Sequence, residues 1–365
     1  MCPPYWSTKG QGAIDSIATG QPPFSFVIMS SSHKTGTVQL LCLARVVRDV
    51  AGVALSTHTG NATSAHVAAA IAAADPQPGN PAMLMSVLPL NQECFGRADG
   101  GSGPPFRCPR PDVPCNPDGT PRLSTDGCYM HLPATDSGAL GLVHFVRNPW
   151  DVVVSAYWYH LQTPAPETWI DKPLSTRLGM MREAGVPPEQ LAALGTGEEQ
   201  AAMSYGDTLR ALPDEAGVQL EFWRSAEGLY AMARQYRLLR HQPAALQLPY
   251  EGAQAAFNDT VRRIAGQFWP QQHAGRILGA AQQCDPTTWS AAQLTTNNHV
   301  TAAKHSAADR QRLQGVLAAQ PEIRRHLCVL AAALGYADDP RCRQQPEQAQ
   351  QGQQQQQAGQ PSVVG

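Results

Sequence analysis

Phe24-Ser25-Phe26-Val27-Ile28-Met29 is a short aromatic and β-branched run that stops at a string of small polar residues, so it reads as a buried β-strand. Leu40, Leu43, Ala44, Val47 and Ala51 then recur at helical spacing and predict an amphipathic helix leaning on a sheet. Met83 to Leu90 reads as a second strand clipped by Pro89, and Leu140 to Val146 as another buried strand. Arg147-Asn148-Pro149 follows, and then a helix from Asp151 to His160, with Pro149 suited to its first turn because the missing N–H costs nothing there. A helix-rich stretch covers about 183–242. Ala245 to Pro249 is a further strand, and Phe257 to Phe268 a helix with Val261, Ile264, Ala265 and Phe268 on one face. Strands alternating with helices predict an α/β fold whose parallel sheet is covered on both sides.

The ends carry no such pattern. Residues 1–23 read as a flexible lead-in, 24–340 as the α/β domain, 96–126 as a Gly/Pro/Arg-rich loop insertion, and 341–365 as a Gln-rich tail too polar to pack. Lys and Arg number 27 against 29 Asp and Glu, a net charge of −2, which argues against a nucleic-acid coat protein. No apolar run of about 18 residues exists, so no membrane span is expected. The start, Met1-Cys2-Pro3-Pro4-Tyr5-Trp6, lacks a secretory pattern. Nine cysteines include no CxxC pair, so a zinc cluster is not expected. Cys94, Cys108, Cys115 and Cys128 crowd into one stretch: they read either as a disulfide-stapled loop or as reduced thiols, and the missing secretory pattern favours the second.

Chemistry concentrates at two places. Ser30-Ser31-Ser32-His33-Lys34-Thr35-Gly36-Thr37 joins the first strand to the first helix. A helix N-terminus presents unpaired N–H groups and the positive end of its dipole, Gly36 permits close approach of an anion, Lys34 adds a cation, and Thr35 and Thr37 offer hydroxyl donors. The order is not GxxxxGK[ST], because Lys precedes Gly, and the segment reads either as an anion cradle or as a plain capped turn. Arg147 sits at the carboxyl end of a strand, where open α/β sheets bind ligands, with Ser155 eight residues on. Together they offer a donor fork and a hydroxyl to a phosphate.

These segments resemble the sulfotransferases that use 3′-phosphoadenosine-5′-phosphosulfate (PAPS). His33-Lys34-Thr35-Gly36-Thr37 is similar to that family's 5′-phosphosulfate loop, and Val146-Arg147-Asn148-Pro149-Trp150-Asp151-Val152-Val153-Val154-Ser155 to its 3′-phosphate motif. Tyr129-Met130-His131-Leu132-Pro133 resembles the segment carrying the catalytic His, and Leu248-Pro249-Tyr250-Glu251 the strand end whose Tyr lies near the adenine. The likeness spans roughly residues 24–270. It departs where Val38-Gln39 replaces Thr-Trp, where Tyr129 replaces a Lys, and where a late Arg-Lys-Gly loop is missing; Lys304 or His299 is the candidate substitute there.

The resemblance implies a three-layer P-loop-type fold and an in-line transfer of a sulfuryl group from PAPS, as co-substrate, to a hydroxyl or amine of a small-molecule or carbohydrate acceptor. It requires no metal. In that reading Lys34 and the backbone of Thr35, Gly36, Thr37 and Val38 hold the 5′-phosphosulfate, Arg147, Ser155 and Lys304 the 3′-phosphate, and Tyr250 the adenine. His131 is the general base, with His33 as the alternative; Trp158 and Tyr159 line the acceptor pocket or belong to the core, and His144 is a hydrogen-bonded core histidine. Other readings are a P-loop nucleotide kinase or hydrolase, which needs an acidic Mg²⁺ ligand after a strand, and a non-catalytic nucleotide-binding relative. The expected compartment is the cytoplasm, the Golgi lumen being the alternative.

Overall fold

A computed structural model of the chain describes residues 24–58, 69–70, 72–73, 81–86, 139–183, 188–193, 202–240, 244–296 and 304–343. The lead-in, the 96–126 insertion, the clustered Cys94, Cys108, Cys115 and Cys128, His131, His299 and nearly all of the tail lie outside them.

Five strands, β1 (Phe24–Ser31), β2 (Leu55–His58), β3 (Ala82–Ser86), β4 (Ala139–Val146) and β5 (Ala245–Pro249), form one all-parallel sheet in the order β2-β3-β1-β4-β5. β1 is buried along its whole length, as a strand covered on both faces must be. It runs two residues past the expected stretch, through Ser30 and Ser31. The strand expected at 83–90 occupies Ala82–Ser86.

The helices are α1 (Thr37–Ala51), α2 (Pro149–His160), α3 (Leu174–Glu183), α4 (Pro188–Ala193), α5 (Tyr205–Ala211), α6 (Asp214–Leu239), α7 (Tyr250–Ala255), α8 (Phe257–Phe268), α9 (Gln271–Ala281), α10 (Ala291–Thr296), α11 (Ala307–Ala319) and α12 (Pro321–Ala333). On one face of the sheet Val27, Met29, Val143 and Phe145 meet Leu40, Leu43 and Val47 of α1, Val261 and Ile264 of α8, and Ile277 of α9. On the other, α6 lies against β4 and β5 and is itself packed by α2, α11 and α12. The result is a three-layer α/β fold. α2 begins at Pro149 rather than Asp151: Asn148 caps it, its side-chain oxygen accepting from the Trp150 N–H at 3.1 Å.

A row of polar residues crosses the sheet in register: Ser86 of β3, Ser30 of β1, His144 of β4 and Gln247 of β5. It faces α6. Gln235 donates to the Ser30 hydroxyl at 3.0 Å, and Gln247 donates to the Tyr236 carbonyl at 2.7 Å. Among the described residues there are two disulfides, Cys42–Cys284, tying α1 to the chain just beyond α9, and Cys328–Cys342. In each pair the Cα atoms lie within bridging reach, at 5.6 and 5.3 Å.

Candidate functional site

The chain leaving β1 runs toward the β3 side of the sheet, and the chain leaving β4 runs toward β5, so a crevice opens between the carboxyl ends of β1 and β4. The loop carrying Lys34 and the turn carrying Arg147 enter that crevice from its two sides.

The loop is bent by two left-handed residues, Lys34 (φ 63°) and Gly36 (φ 91°). Thr35 braces it: its hydroxyl accepts from the Ser32 N–H at 2.8 Å and donates to the Ser32 carbonyl at 2.7 Å. Thr37 Oγ1 lies 2.9 Å from Ser31 Oγ and donates to the Ser32 carbonyl at 3.3 Å. The two threonine hydroxyls are therefore engaged inside the loop, where the sequence reading had them as donors to an anion. The donors left open at this end of α1 are backbone N–H groups. The first bond of α1 runs from the Leu40 N–H to the Gly36 carbonyl, and no side chain among the described residues caps the helix. The N–H groups of Thr37, Val38 and Gln39 thus have no acceptor within α1.

Gly36 is required twice over. Its φ disfavours any L side chain, and a Cβ there would fall 2.6 Å from the Tyr250 ring and 3.1 Å from Phe145. That ring also lies 4.8 Å from the guanidinium of Arg147. Arg147 is buried, donates from Nη1 to the Lys34 carbonyl at 2.8 Å, and leaves Nε without a partner among the described residues. One guanidinium thus touches the loop, while its ring neighbour closes over Gly36.

Lys34 is only 7% exposed, with Nζ 3.8 Å from the centre of the Tyr159 ring. Burial, then the charge of Arg147, lowers its pKa to about 7, against the pull of Glu167 and Glu221. Ser155 is buried one helical turn before Tyr159 on α2. Trp158 and Tyr159 are core residues, as one of the two readings had it, and Tyr159 also backs the Lys34 ammonium. Lys304 is exposed, yet its charge is felt at Lys34.

A second polar group adjoins Lys34. The His33 ring lies parallel to that of His160, centres 5.1 Å apart, and His33 Nε2 is 3.2 Å from Glu167 Oε1. Trp169 Nε1 donates to the other oxygen of Glu167. His160 Nδ1 is 2.8 Å from Glu221, which also accepts from Tyr205, Arg224 and Ser225. Burial lowers the His33 pKa to about 3 and lowers that of His160 too. Burial pushes the Glu167 carboxyl up, but hydrogen bonds from His33 and Trp169 outweigh it and the net direction is down. Only His33 of this group was singled out from the sequence. Residues 33, 160, 167 and 221 form no local motif, and only the fold brings them together.

Two further expectations are settled by contacts. His144 is fully buried, as expected of a core residue, but neither ring nitrogen has a hydrogen-bond partner among the described residues. Burial alone lowers its pKa to about 3. Glu251, the acid after β5, accepts from the Asn148 N–H at 3.1 Å and from the Tyr336 hydroxyl at 2.6 Å, so it is a brace for the Arg147 turn.

No family model matches the chain, and no curated protein does. Among solved structures, mouse sulfotransferase SULT7A1 complexed with PAP is similar over 90% of this chain and 94% of that one, at 12% identity and a TM-score of 0.36. A score that low carries no statement about fold or activity. No described helix is long and apolar enough to cross a membrane.

Proposed function

We propose that the chain is a PAPS-dependent sulfotransferase whose donor site is the crevice between β1 and β4. The carrying observation is the convergence there of the uncapped α1 terminus, buried Lys34 and buried Arg147, linked by the bond from Arg147 to the Lys34 carbonyl. These residues fit a nucleotide with phosphates at both ends. The N–H groups of Thr37, Val38 and Gln39 face a 5′-phosphosulfate, and the vacant Nε of Arg147 with Ser155 takes the 3′-phosphate, Lys304 adding charge. The Tyr250 ring, between Gly36 and Arg147, supplies a flat apolar wall for the adenine.

When bound, PAPS supplies the activated sulfuryl group. The protein's part is positioning and charge stabilisation. Lys34, in its protonated form, neutralises charge developing on the leaving 5′-phosphate. His131, by the resemblance of Tyr129-Met130-His131-Leu132-Pro133, takes the acceptor's proton; it lies outside the described residues. The acceptor is a small molecule or carbohydrate bearing a hydroxyl or amine.

Calorimetric binding of adenosine 3′,5′-bisphosphate against ATP with Mg²⁺ tests this. The bisphosphate should bind clearly better, and Arg147→Ala should weaken it by about 1.5–3 kcal/mol, the scale of a hydrogen bond to a charged group. ATP binding as well or better would overturn the reading.

A further inference from the structure

We propose that His33, His160 and Glu167 form a binding site for one divalent transition-metal ion of the zinc class. One ligand atom from each lies within 4.8 Å of the others. Two ligands of a tetrahedral ion bound at about 2.0–2.1 Å sit about 3.3 Å apart. His33 Nε2 and Glu167 Oε1 already have that spacing, at 3.2 Å, the long end of the N–H···O range. Closing His160 onto the same ion needs a movement of about 1.5 Å at most, the difference between 4.8 Å and the ligand spacing.

The chemistry of each donor is suited to the task. His160 is wholly buried, its Nδ1 is engaged by Glu221, and its Nε2 has no partner among the described residues. A histidine whose far nitrogen is fixed by a carboxylate presents its remaining lone pair in a set direction, as metal-ligating histidines do. Glu221 is in turn held by Tyr205, Arg224 and Ser225. Glu167 is oriented by Trp169, which donates to one of its oxygens, and by the Tyr159 hydroxyl, while its Oε1 faces His33 Nε2. His33 binds through Nε2 as the neutral imidazole with its single ring proton on Nδ1, which has no hydrogen-bond partner among the described residues. Two carboxylates, Glu167 and Glu221, offset the nearby cations Lys34 and Arg224. Two nitrogens and one oxygen leave a fourth position for water or a ligand group, beside the loop that carries Lys34. The inference stands apart from the sulfotransferase reading, since none of the three ligands holds PAPS in it.

The test is titration of the full chain, first stripped with a chelator, with Co²⁺ as a spectroscopic probe. One equivalent should bind with the intense visible absorption of a four-coordinate ion, and Zn²⁺ should displace it. Glu167→Gln and His33→Ala, at partly exposed positions, should each weaken binding roughly 100-fold while leaving the circular dichroism unchanged. Glu221→Gln should weaken it roughly 10–100-fold with the spectrum retained. Absence of stoichiometric binding would overturn the proposal. So would Co²⁺ binding that Glu167→Gln and His33→Ala leave unaltered, for the ion would then sit elsewhere.

Discussion

Arg147 donates to the main-chain carbonyl of Lys34 across 113 positions of sequence, at 2.8 Å. The bond spans the crevice between β1 and β4 and holds a left-handed lysine in a strained turn. The two cationic side chains of the site are therefore not independent. Removing Arg147 releases the loop as well as subtracting a charge.

The contact between Gly36 and Tyr250 predicts the behaviour of a pair of glycine substitutions. Gly36→Ala incurs the positive-φ penalty and a collision with the ring, whereas Gly52, also at positive φ, has open space around it. Gly52→Ala should cost about 1 kcal/mol, and Gly36→Ala roughly 1–3 kcal/mol more, by denaturant unfolding. Equal losses would mean that the ring moves aside freely.

Lys34 titrates near neutrality, at about 7, because burial and Arg147 disfavour its charge. Above that pH the free protein loses the ammonium, so affinity for an anion falls as pH rises. A bound phosphate returns the charge, and binding at pH 8 should take up close to one proton. Calorimetry in two buffers of different ionisation heat reads this directly. Lys34→Arg, charged throughout, should take up none.

His144 predicts an acid sensitivity. Its folded pKa is depressed to about 3, below the unfolded value of 6.5. The unfolded chain thus binds the extra proton first, and the stability present above pH 6.5 is lost progressively as pH falls toward 3. His144→Leu should flatten that part of the profile. It should also raise stability at pH 7 by about 1–3 kcal/mol, since it removes an unpartnered buried polar ring. Urea unfolding at pH 7 and pH 5 separates the two effects.

The Cys42–Cys284 bridge closes 242 residues, and the Cys328–Cys342 bridge only 14. Loop-closure entropy makes the first worth about 5 kcal/mol and the second about 3 kcal/mol. Serine pairs at each should lower stability in that order, read from the urea midpoint.

The loop, the Arg147 turn and the strand preceding each could be read from the sequence because every one is a contiguous run with its own hydrophobic signature. Tyr250 was placed near the site only through a family likeness, and its packing on Gly36 has no local mark. β2 escaped because Leu55-Ser56-Thr57-His58 is four residues long, half-polar and at the sheet edge. The hydroxyls of Thr35 and Thr37 were assigned to an anion because composition cannot say which backbone atom a short side chain will choose. The His33, His160 and Glu167 group needs α2 folded against the loop before it exists at all.

The polar row under α6 bears on how the strands find their alignment. A sheet apolar on both faces has little to separate one pairing from the next. Sliding β4 by a single residue would turn His144 toward α1, among Val27, Met29 and Leu40. Sliding β1 would strand the Ser30 hydroxyl away from Gln235, at about 1–3 kcal/mol for each buried group left unmatched. The row therefore acts as a set of index marks read by a single helix, and it delivers Lys34 and Arg147 to the same level at the rim of the sheet.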